Sequence, residues 1–171
     1  MEQQSVRKTY KYKLIPTPPQ ERALETVLSR CWTLYNVALE QRKTWWQREQ
    51  CGQGKSATYY QQQAELPDLK AGCPEYAEVN AQVLQDVILR VERAFQAFFR
   101  RIQHGEKPGY PHFQGRNRYN SFTYPQYGGG AALDGGLLNL SKIGRIRVQL
   151  HRPLAGTPVS RVLRRLCNRC N

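Results

Sequence analysis

Residues 7–40 read RKTYKYKLIPTPPQERALETVLSRCWTLYNVALE, and their hydrophobic period changes at Pro16. Before this proline, apolar and basic residues alternate over residues 7–15, which predicts a β-strand with one cationic side. After it, Thr17 and Gln20 have the spacing of a capping box, and apolar residues then recur at helical spacing. The stretch therefore predicts a strand followed at once by a long helix over residues 18–48.

A second long helix is predicted after Asn80, which can cap it, and Gly105 is expected to end it. Its apolar stripe is the clearest in the chain and is expected to be core: Leu84, Val87, Ile88, Val91, Phe95, Phe98, Phe99 and Ile102. Between the two helices, residues 57–66 predict a short polar helix. The segment with Pro67, Gly72 and Pro74 predicts a loop.

The sequence after residue 105 predicts short strands at Ser121–Tyr124, Leu137–Leu140 and Ile143–Leu150, with glycine turns between them. The fold class is therefore α+β: a small antiparallel β-barrel interrupted by an α-helical insertion of two long helices. We divide the chain into the first barrel strand (1–16), the helical insertion (17–105), the remaining barrel strands (106–157) and a basic tail (158–171).

The charge of the chain indicates a polyanionic partner. The 26 Lys and Arg residues outnumber the 13 Asp and Glu residues, giving a net charge of +13. Aromatic residues that could stack on bases interleave the charge, and they are Tyr10, Tyr12, Tyr110, Phe113, Tyr119, Phe122 and Tyr124. No apolar run is long enough for a membrane span and no signal peptide is evident, so we expect a cytoplasmic protein.

The residue types needed for catalysis are not brought together by the sequence. His104, His112 and His151 are far apart, and no glycine-rich phosphate loop is present. The pair Cys167 and Cys170 offers two zinc ligands where a structural site needs four, so a complete site with Cys51 and Cys73, half of a zinc site and coincidence all remain open. Cys31, on the stripe of the first helix, is expected to be a core residue. We expect neither an enzyme nor a bound cofactor in this chain.

Three ordered segments are similar to the TnpB family of OrfB-type transposon proteins. They are KTYKYKLIPTPPQERALETVLSRCWTLYNVALEQRK (8–43), ELPDLKAGCPEYAEVNAQVLQDVILRVERAFQAFFRRI (65–102) and KPGYPHFQGRNRYNSFTYP (107–125). The resemblance extends from about residue 7 to residue 157. It identifies residues 18–48 with the family's helix-turn-helix segment. It also identifies the strands and the helical insertion with the family's wedge and recognition parts.

The resemblance implies RNA-guided DNA nuclease chemistry for full-length members, which resemble type V CRISPR effectors. The expected partners are a guide-like RNA from the transposon end and target DNA, with no membrane. Magnesium for the RuvC-like nuclease and zinc for the four-cysteine ribbon are expected only in a C-terminal half, which residues 1–171 do not include. Residues 158–171 do not resemble the family's continuation, so we expect them to be foreign to the fold. A fragment, a frameshift relic without a partner and a functional short form remain open.

The candidate nucleic-acid-binding residues fall into two groups. Tyr59, Gln85 and Thr123 align with family positions that contact the short duplex motif beside the target. The other candidates are basic residues expected to contact phosphates: Arg7, Lys8, Lys11 and Lys13 on the first strand, with Arg100, Arg101, Lys107, Arg116 and Arg118 around the loop after the second helix.

Two other classes of protein fit the charge. A free-standing DNA-binding regulator would use residues 18–48 as a simple helix-turn-helix, although no glycine turn divides this stretch. A structural RNA-binding protein would share the charge but not the three segments. A preference for structured transposon-end RNA, for a palindromic duplex or for ribosomal RNA distinguishes the three classes.

Overall fold

The chain is described here from a computed structural model that covers residues 8–50, 58–155, 158 and 160–164. The helices are α1 (Pro18–Gln50), α2 (Tyr59–Ala64), α3 (Leu66–Gly72), α4 (Pro74–Ala77) and α5 (Ala81–Gln103). The strands are β1 (Lys13–Ile15), β2 (Ser121–Tyr124), β3 (Ala131–Asp134), β4 (Leu137–Leu140), β5 (Gly144–Gln149) and β6 (Arg161–Arg164). The mixture of helices and antiparallel strands confirms the α+β class.

Helix α1 is a single continuous helix of 33 residues. At its start, the Gln20 side-chain oxygen accepts a hydrogen bond of 3.0 Å from the Thr17 backbone N–H, which is one half of the expected capping box. The predicted helix over 18–48 is thus confirmed. No turn divides residues 18–50, so the residues identified with the helix-turn-helix segment form one long helix.

Helix α5 begins and ends where the sequence indicates. The Asn80 side chain accepts a hydrogen bond of 2.9 Å from the Gln82 backbone N–H, and Gly105 adopts a φ of +70° just beyond the helix. The helix packs along α1 in the same direction, since Arg42 pairs with Glu92 and, one turn further along α1, Trp46 contacts Phe99. The chain returns between these parallel helices through α2, α3 and α4.

The segment between the long helices is more helical than expected. Thr58 and Gln61 form a complete capping box at the start of α2, which confirms the short polar helix. The loop predicted around Pro67, Gly72 and Pro74 is wrong, because both prolines lie in the first turn of a helix, α3 or α4. Proline is favoured there since the first N–H groups of a helix have no partner within it.

The strands form two open antiparallel sheets rather than the expected closed barrel. The larger sheet has the order β1-β5-β4-β3, and β2 pairs only with β6. Lys13 lies opposite Gln149 and Ile15 opposite Arg147, so the N-terminal strand does return to the C-terminal strands as expected. The barrel does not close because β1 and β3 form the two edges of the larger sheet and are not paired to each other.

Three strand predictions need correction. The first strand is limited to β1, because β5 ends at Gln149 and the backbone before Lys13 has no strand beside it. Strand β3 was not predicted; it ends at Asp134 and joins β4 through the predicted turn Gly135-Gly136, where both residues have positive φ. Residues 161–164, expected to be foreign to the fold, form β6, and Leu163 is buried opposite Phe122.

One cluster of buried apolar side chains joins both long helices to both sheets. It contains the first part of the α5 stripe through Phe95, but Phe99 and Ile102 are exposed at the end of the helix, contrary to expectation. No helix among the described residues is long and apolar enough to cross a membrane. The predictions that concern Arg7, Cys167 and Cys170 lie outside the described residues.

Candidate nucleic-acid interface

The exposed face of the larger sheet carries a group of cations. Side chains alternate in burial along β5, so Ile146 is buried while Arg145 and Arg147 are exposed. On β1 the same alternation exposes Lys13, and Lys11 two residues earlier is exposed as well. We call Lys11, Lys13, Arg145 and Arg147 the basic sheet face.

The strand register brings these cations together. Arg147 lies between Ile15 of β1 and Leu137 of β4, while Arg145 lies opposite Asn139. Asp134, at the end of β3, lies opposite Leu137 and so adds a carboxylate to the line of residues across the sheet that contains Arg147. None of the four cations takes part in an ion pair within the described segments. Their charge is therefore available to phosphates.

Two aromatic rings lie in the segment before β1. Tyr10 and Tyr12 are stacked, with ring centroids 6.2 Å apart and an interplanar angle of 4°. The Tyr12 hydroxyl donates a hydrogen bond of 3.0 Å to the Arg152 carbonyl, and its ring lies 5.2 Å from His151. These contacts fix the segment before β1 against the chain after β5. Lys8, also a candidate, is exposed in this segment.

The second group of candidate cations surrounds the loop after α5. Arg100, Arg101, Lys107, Arg116 and Arg118 are all exposed. Within this group, the Nε of Arg101 lies 3.9 Å from an Oε2 of Glu106, with both side chains more than half exposed. Such an exposed pair contributes little and leaves the guanidinium accessible.

The loop itself is held against α1 by the backbone of Gln114. The Asn36 side chain accepts a hydrogen bond of 2.9 Å from the Gln114 N–H and donates one of 3.0 Å to its carbonyl. The Trp32 indole N–H donates a further bond of 2.5 Å to the same carbonyl. Because three bonds converge on one residue, the loop that carries Arg116 and Arg118 has a defined position without regular secondary structure.

No described contact joins this second group to the basic sheet face. On α5, Arg90 contacts strand β2. Arg100, which belongs to the second group, lies ten residues further along the same helix, and this separation corresponds to about 15 Å. That both groups line one groove therefore stays a prediction.

The three residues placed by the family resemblance lie on different elements. Tyr59 begins α2, and its hydroxyl accepts a hydrogen bond of 2.6 Å from the Gln63 side chain. Gln85 is exposed on α5. Thr123 is half-buried on β2, where its hydroxyl oxygen accepts a bond of 2.7 Å from Arg90. Gln85 is thus the most accessible of the three to a base edge, and the Thr123 hydroxyl proton remains free to donate.

Arg90 is a central residue that the sequence reasoning missed. Its Nε donates to an oxygen of Asp86 at 2.9 Å, and its two terminal nitrogens donate to the Ser121 carbonyl and to Thr123, each at 2.7 Å. Its guanidinium also lies 5.6 Å from the centre of the buried Tyr119 ring. The spacing of four residues from Asp86 was the available signal, since it permits an ion pair along one helix face.

Burial decides which aromatic and thiol groups can react or stack. Tyr119, Phe122 and Tyr124 are buried, so three of the aromatic residues expected to stack on bases are core instead. Desolvation raises the pKa of the Tyr119 phenol well above its usual value. Burial likewise raises the pKa of the Cys31 thiol to about 12, which confirms an unreactive core residue.

Two features of the described residues concern possible catalysis: the grouping of metal-ligating side chains and the cavities. Among them, no three His, Cys, Asp or Glu side chains are grouped so that they could hold a metal ion. A shallow hollow of about 280 Å³ is lined by residues 128–132 with Asn139 and Ser141, none of which is titratable in the physiological range. The geometry is that of an α+β protein with exposed cations on a sheet and at a helix end.

Comparison with known proteins gives two matches. Residues 1–51 match the family model HTH_OrfB_IS605, described as a helix-turn-helix domain. A stretch of 118 residues is 30% identical to a protein of Streptomyces pristinaespiralis that is provisionally named an RNA-guided DNA endonuclease. The match covers 67% of this chain and 27% of that relative, so the chain spans about a quarter of the length of the relative.

Both matches support the resemblance to OrfB-type proteins that the three sequence segments indicated. The matched helix-turn-helix region corresponds, over its described residues, to β1 and the first part of the helical insertion. A simple regulator that inserts a separate recognition helix is therefore disfavoured, because residues 18–50 contain no turn between two helices.

Proposed function

We propose that this chain is the nucleic-acid-binding portion of a TnpB-like RNA-guided DNA endonuclease, and that it binds a structured guide RNA through the basic sheet face. The observation that carries the proposal is the set of four exposed cations on β1, its preceding residues and β5, none in an ion pair within the described segments. The relative's name supports RNA and DNA as the partners.

The phosphate contacts and the sequence-reading contacts belong to different residues in this proposal. Cations such as Lys13 and Arg147 position the nucleic acid without specifying its sequence. Gln85 can pair with an adenine edge, while Tyr59 and Thr123 can contact phosphate or a thymine methyl group. Target DNA would therefore meet the α2, α5 and β2 residues while the guide RNA occupies the sheet.

A salt titration tests the phosphate part. The four cations of the basic sheet face predict a slope of log K against log [salt] of about −3 on single-stranded RNA, and six or more contacts, with the loop group included, predict roughly −4 or steeper. Replacing Lys11 and Lys13 with alanine should flatten the slope by about one to one and a half units, and R145A/R147A should do the same. Replacing the exposed Arg93 of α5 is the matched control and should leave the slope nearly unchanged. A slope unaffected by either pair contradicts the proposed surface.

A competition assay tests the choice of partner. Transposon-end RNA should compete better than either a palindromic DNA duplex or ribosomal RNA of equal length. Preference for the palindrome would indicate a DNA-binding regulator, and preference for ribosomal RNA would indicate a structural RNA-binding protein. Q85A should alter which duplex motif is preferred while leaving the salt slope nearly unchanged.

We also propose that this chain binds nucleic acid without cutting it. A two-metal nuclease needs several carboxylates around its ions, and the described residues hold no such group. With Mg²⁺, guide RNA and duplex DNA, the chain should leave the DNA intact. Metal-dependent cleavage that is lost when one of its own carboxylates is replaced would contradict this proposal.

A further inference from the structure

An exposed apolar strip lies at the far ends of α1 and α5. Trp46 is 40% exposed, Phe99 37% and Ile102 48%, and Phe113 in the following loop is 51% exposed. The Trp46 and Phe99 rings are in contact, with centroids 5.7 Å apart. Lys43, one turn before Trp46, lies 5.7 Å from the Phe113 ring centre. We call Lys43, Trp46, Phe99, Ile102 and Phe113 the aromatic strip.

One ring of the strip, that of Phe99, packs on a group of other aromatic rings. Beneath Phe99 lie Phe95 and Phe98, with ring centroids 6.4 and 5.3 Å away. Both of these rings meet Tyr110 edge to face, at 5.7 and 5.3 Å. Phe99 therefore has packed aromatic neighbours although its own ring is partly exposed. The apolar stripe of α5 predicted that this end of the helix would be buried in the core.

The charge around the strip selects its partner. Arg100 is exposed and outside any ion pair among the described residues, and Lys43 has only the Phe113 ring as its described contact. Arg101 has a single weak, exposed pair with Glu106. A second copy of the chain would bring the same cations against these. An anionic partner with flat apolar faces fits both features at once.

We propose that the aromatic strip binds unpaired nucleotides of RNA, whose bases stack on Trp46, Phe99 and Phe113 while Lys43 and Arg100 contact the phosphates. Bases supply π-faces and the backbone supplies negative charge, which is the combination that single-strand-binding surfaces recognise. RNA is the stated partner because its loops and bulges present unstacked bases, whereas cellular DNA is mostly paired. This inference rests on the proposed function but concerns a different surface from the basic sheet face.

Tryptophan fluorescence of the full chain tests the strip, with oligo(U) of about twelve nucleotides as the probe. Binding should quench the emission, and W46A and F99A should each weaken binding roughly five- to tenfold. W46F should keep most of the affinity and lose part of the quenching, because phenylalanine still stacks but does not report. The last comparison remains interpretable even if an alanine variant folds poorly.

Val37→Ala is the matched control, since Val37 is an exposed apolar residue of the same helix. It lies nine residues before Trp46, which places it on the opposite face of α1 about 13 Å away. V37A should leave both affinity and quenching unchanged. An equal loss of affinity in V37A would overturn the assignment to the strip.

Two further outcomes would overturn the inference. They are tighter binding of an RNA duplex than of oligo(U), and formation of a dimer that is lost in W46A. Binding of structured RNA with an unchanged affinity in W46A and F99A would end this inference alone. No binding of any RNA by the wild-type chain would end the proposed function as well.

Discussion

Arg90 joins helix α5 to strand β2, and replacing this one residue tests whether its contacts stabilise the fold. Removing it leaves the Asp86 carboxylate, which is only 8% exposed, without its cation, and also leaves the Ser121 carbonyl and the Thr123 hydroxyl without their donor. Because an unpaired buried charge is costly, R90M should lower the free energy of unfolding by about 2–4 kcal/mol.

Chemical denaturation measures this prediction. R93M, an equivalent change at an exposed position of the same helix, should stay within about 0.5 kcal/mol of the wild type. The double variant D86N/R90M should recover part of the loss, because it removes the uncompensated charge. Equal stability of R90M and R93M would mean that the Arg90 contacts do not support the fold.

Cys31 predicts a dependence of stability on alkaline pH. Burial raises the pKa of the Cys31 thiol from its usual value of about 9.0 to about 12, because the thiolate is desolvated in the core. Between these values the unfolded state binds fewer protons than the folded state, so the stability falls as the pH rises. The wild type should therefore lose on the order of 1–2 kcal/mol more than C31A between pH 7 and pH 10.

Urea denaturation at the two pH values checks this difference, and comparison with C31A cancels the titration of the buried tyrosines. V83A, which also removes a fully buried side chain but titrates nothing, should keep the same cost at both pH values. If the loss of stability caused by C31A is the same at both pH values, the Cys31 thiol is not desolvated in the folded protein, and the prediction is wrong.

At the scale of single elements, α1 decides between one long helix and two short ones. Thr33 lies near the middle of α1, is exposed, and donates a hydrogen bond of 3.1 Å to the Ser29 carbonyl one turn earlier. T33P should cost about 3 kcal/mol or more, since proline removes a helical hydrogen bond and clashes with the preceding turn.

T33A is the matched control and should be neutral or stabilising by a few tenths of a kcal/mol, because alanine is the better helix former. Circular dichroism and thermal denaturation of the two variants give the comparison. Tolerance of proline at position 33 would indicate a turn there and would restore the simple helix-turn-helix reading.

The long elements could be predicted from the sequence because their signals are local. Three local features each indicate the boundary of an element to within a few residues. They are the Asn80 cap, the glycine after α5 and the change of hydrophobic period at Pro16. Strand β6 could not be predicted, because its partner β2 lies some forty residues before it, whereas β3 is paired locally with β4 across the predicted Gly135-Gly136 turn and was missed for its shortness. Short strands carry too few residues to show a period by themselves.

The candidate site was predictable in part for the same reason. Lys11 and Lys13 stood out on an alternating strand, but only the register β1-β5 brings Arg145 and Arg147 beside them. Tyr119, Phe122 and Tyr124 looked available to bases because their segment has no helical period, yet tertiary packing buries them. The exposed end of the α5 stripe likewise depends on where α1 ends beside it.

At the scale of the whole molecule, one apolar cluster is expected to make unfolding cooperative. Leu84 of α5, Phe122 of β2 and Ile146 of β5 belong to the same buried cluster, and the Tyr124 hydroxyl donates to the Ser141 carbonyl after β4. Helices and both sheets therefore depend on shared contacts. Far-ultraviolet circular dichroism and tryptophan fluorescence, whose three reporters lie on α1, should give a single coincident transition.

Core truncations on different elements test this cooperativity. L84A and I146A should each cost about 2–5 kcal/mol, which lowers the midpoint by about 5–15 °C in a chain of this size. Both should move the same transition for both probes, although Ile146 lies in the larger sheet and the tryptophans lie on α1. V37A should leave the midpoint nearly unchanged, because Val37 is exposed. A fluorescence transition that stays in place in I146A would mean that the sheet unfolds independently. The basic sheet face would then require bound RNA to order it, since a sheet without the helices has too small an apolar face to remain folded.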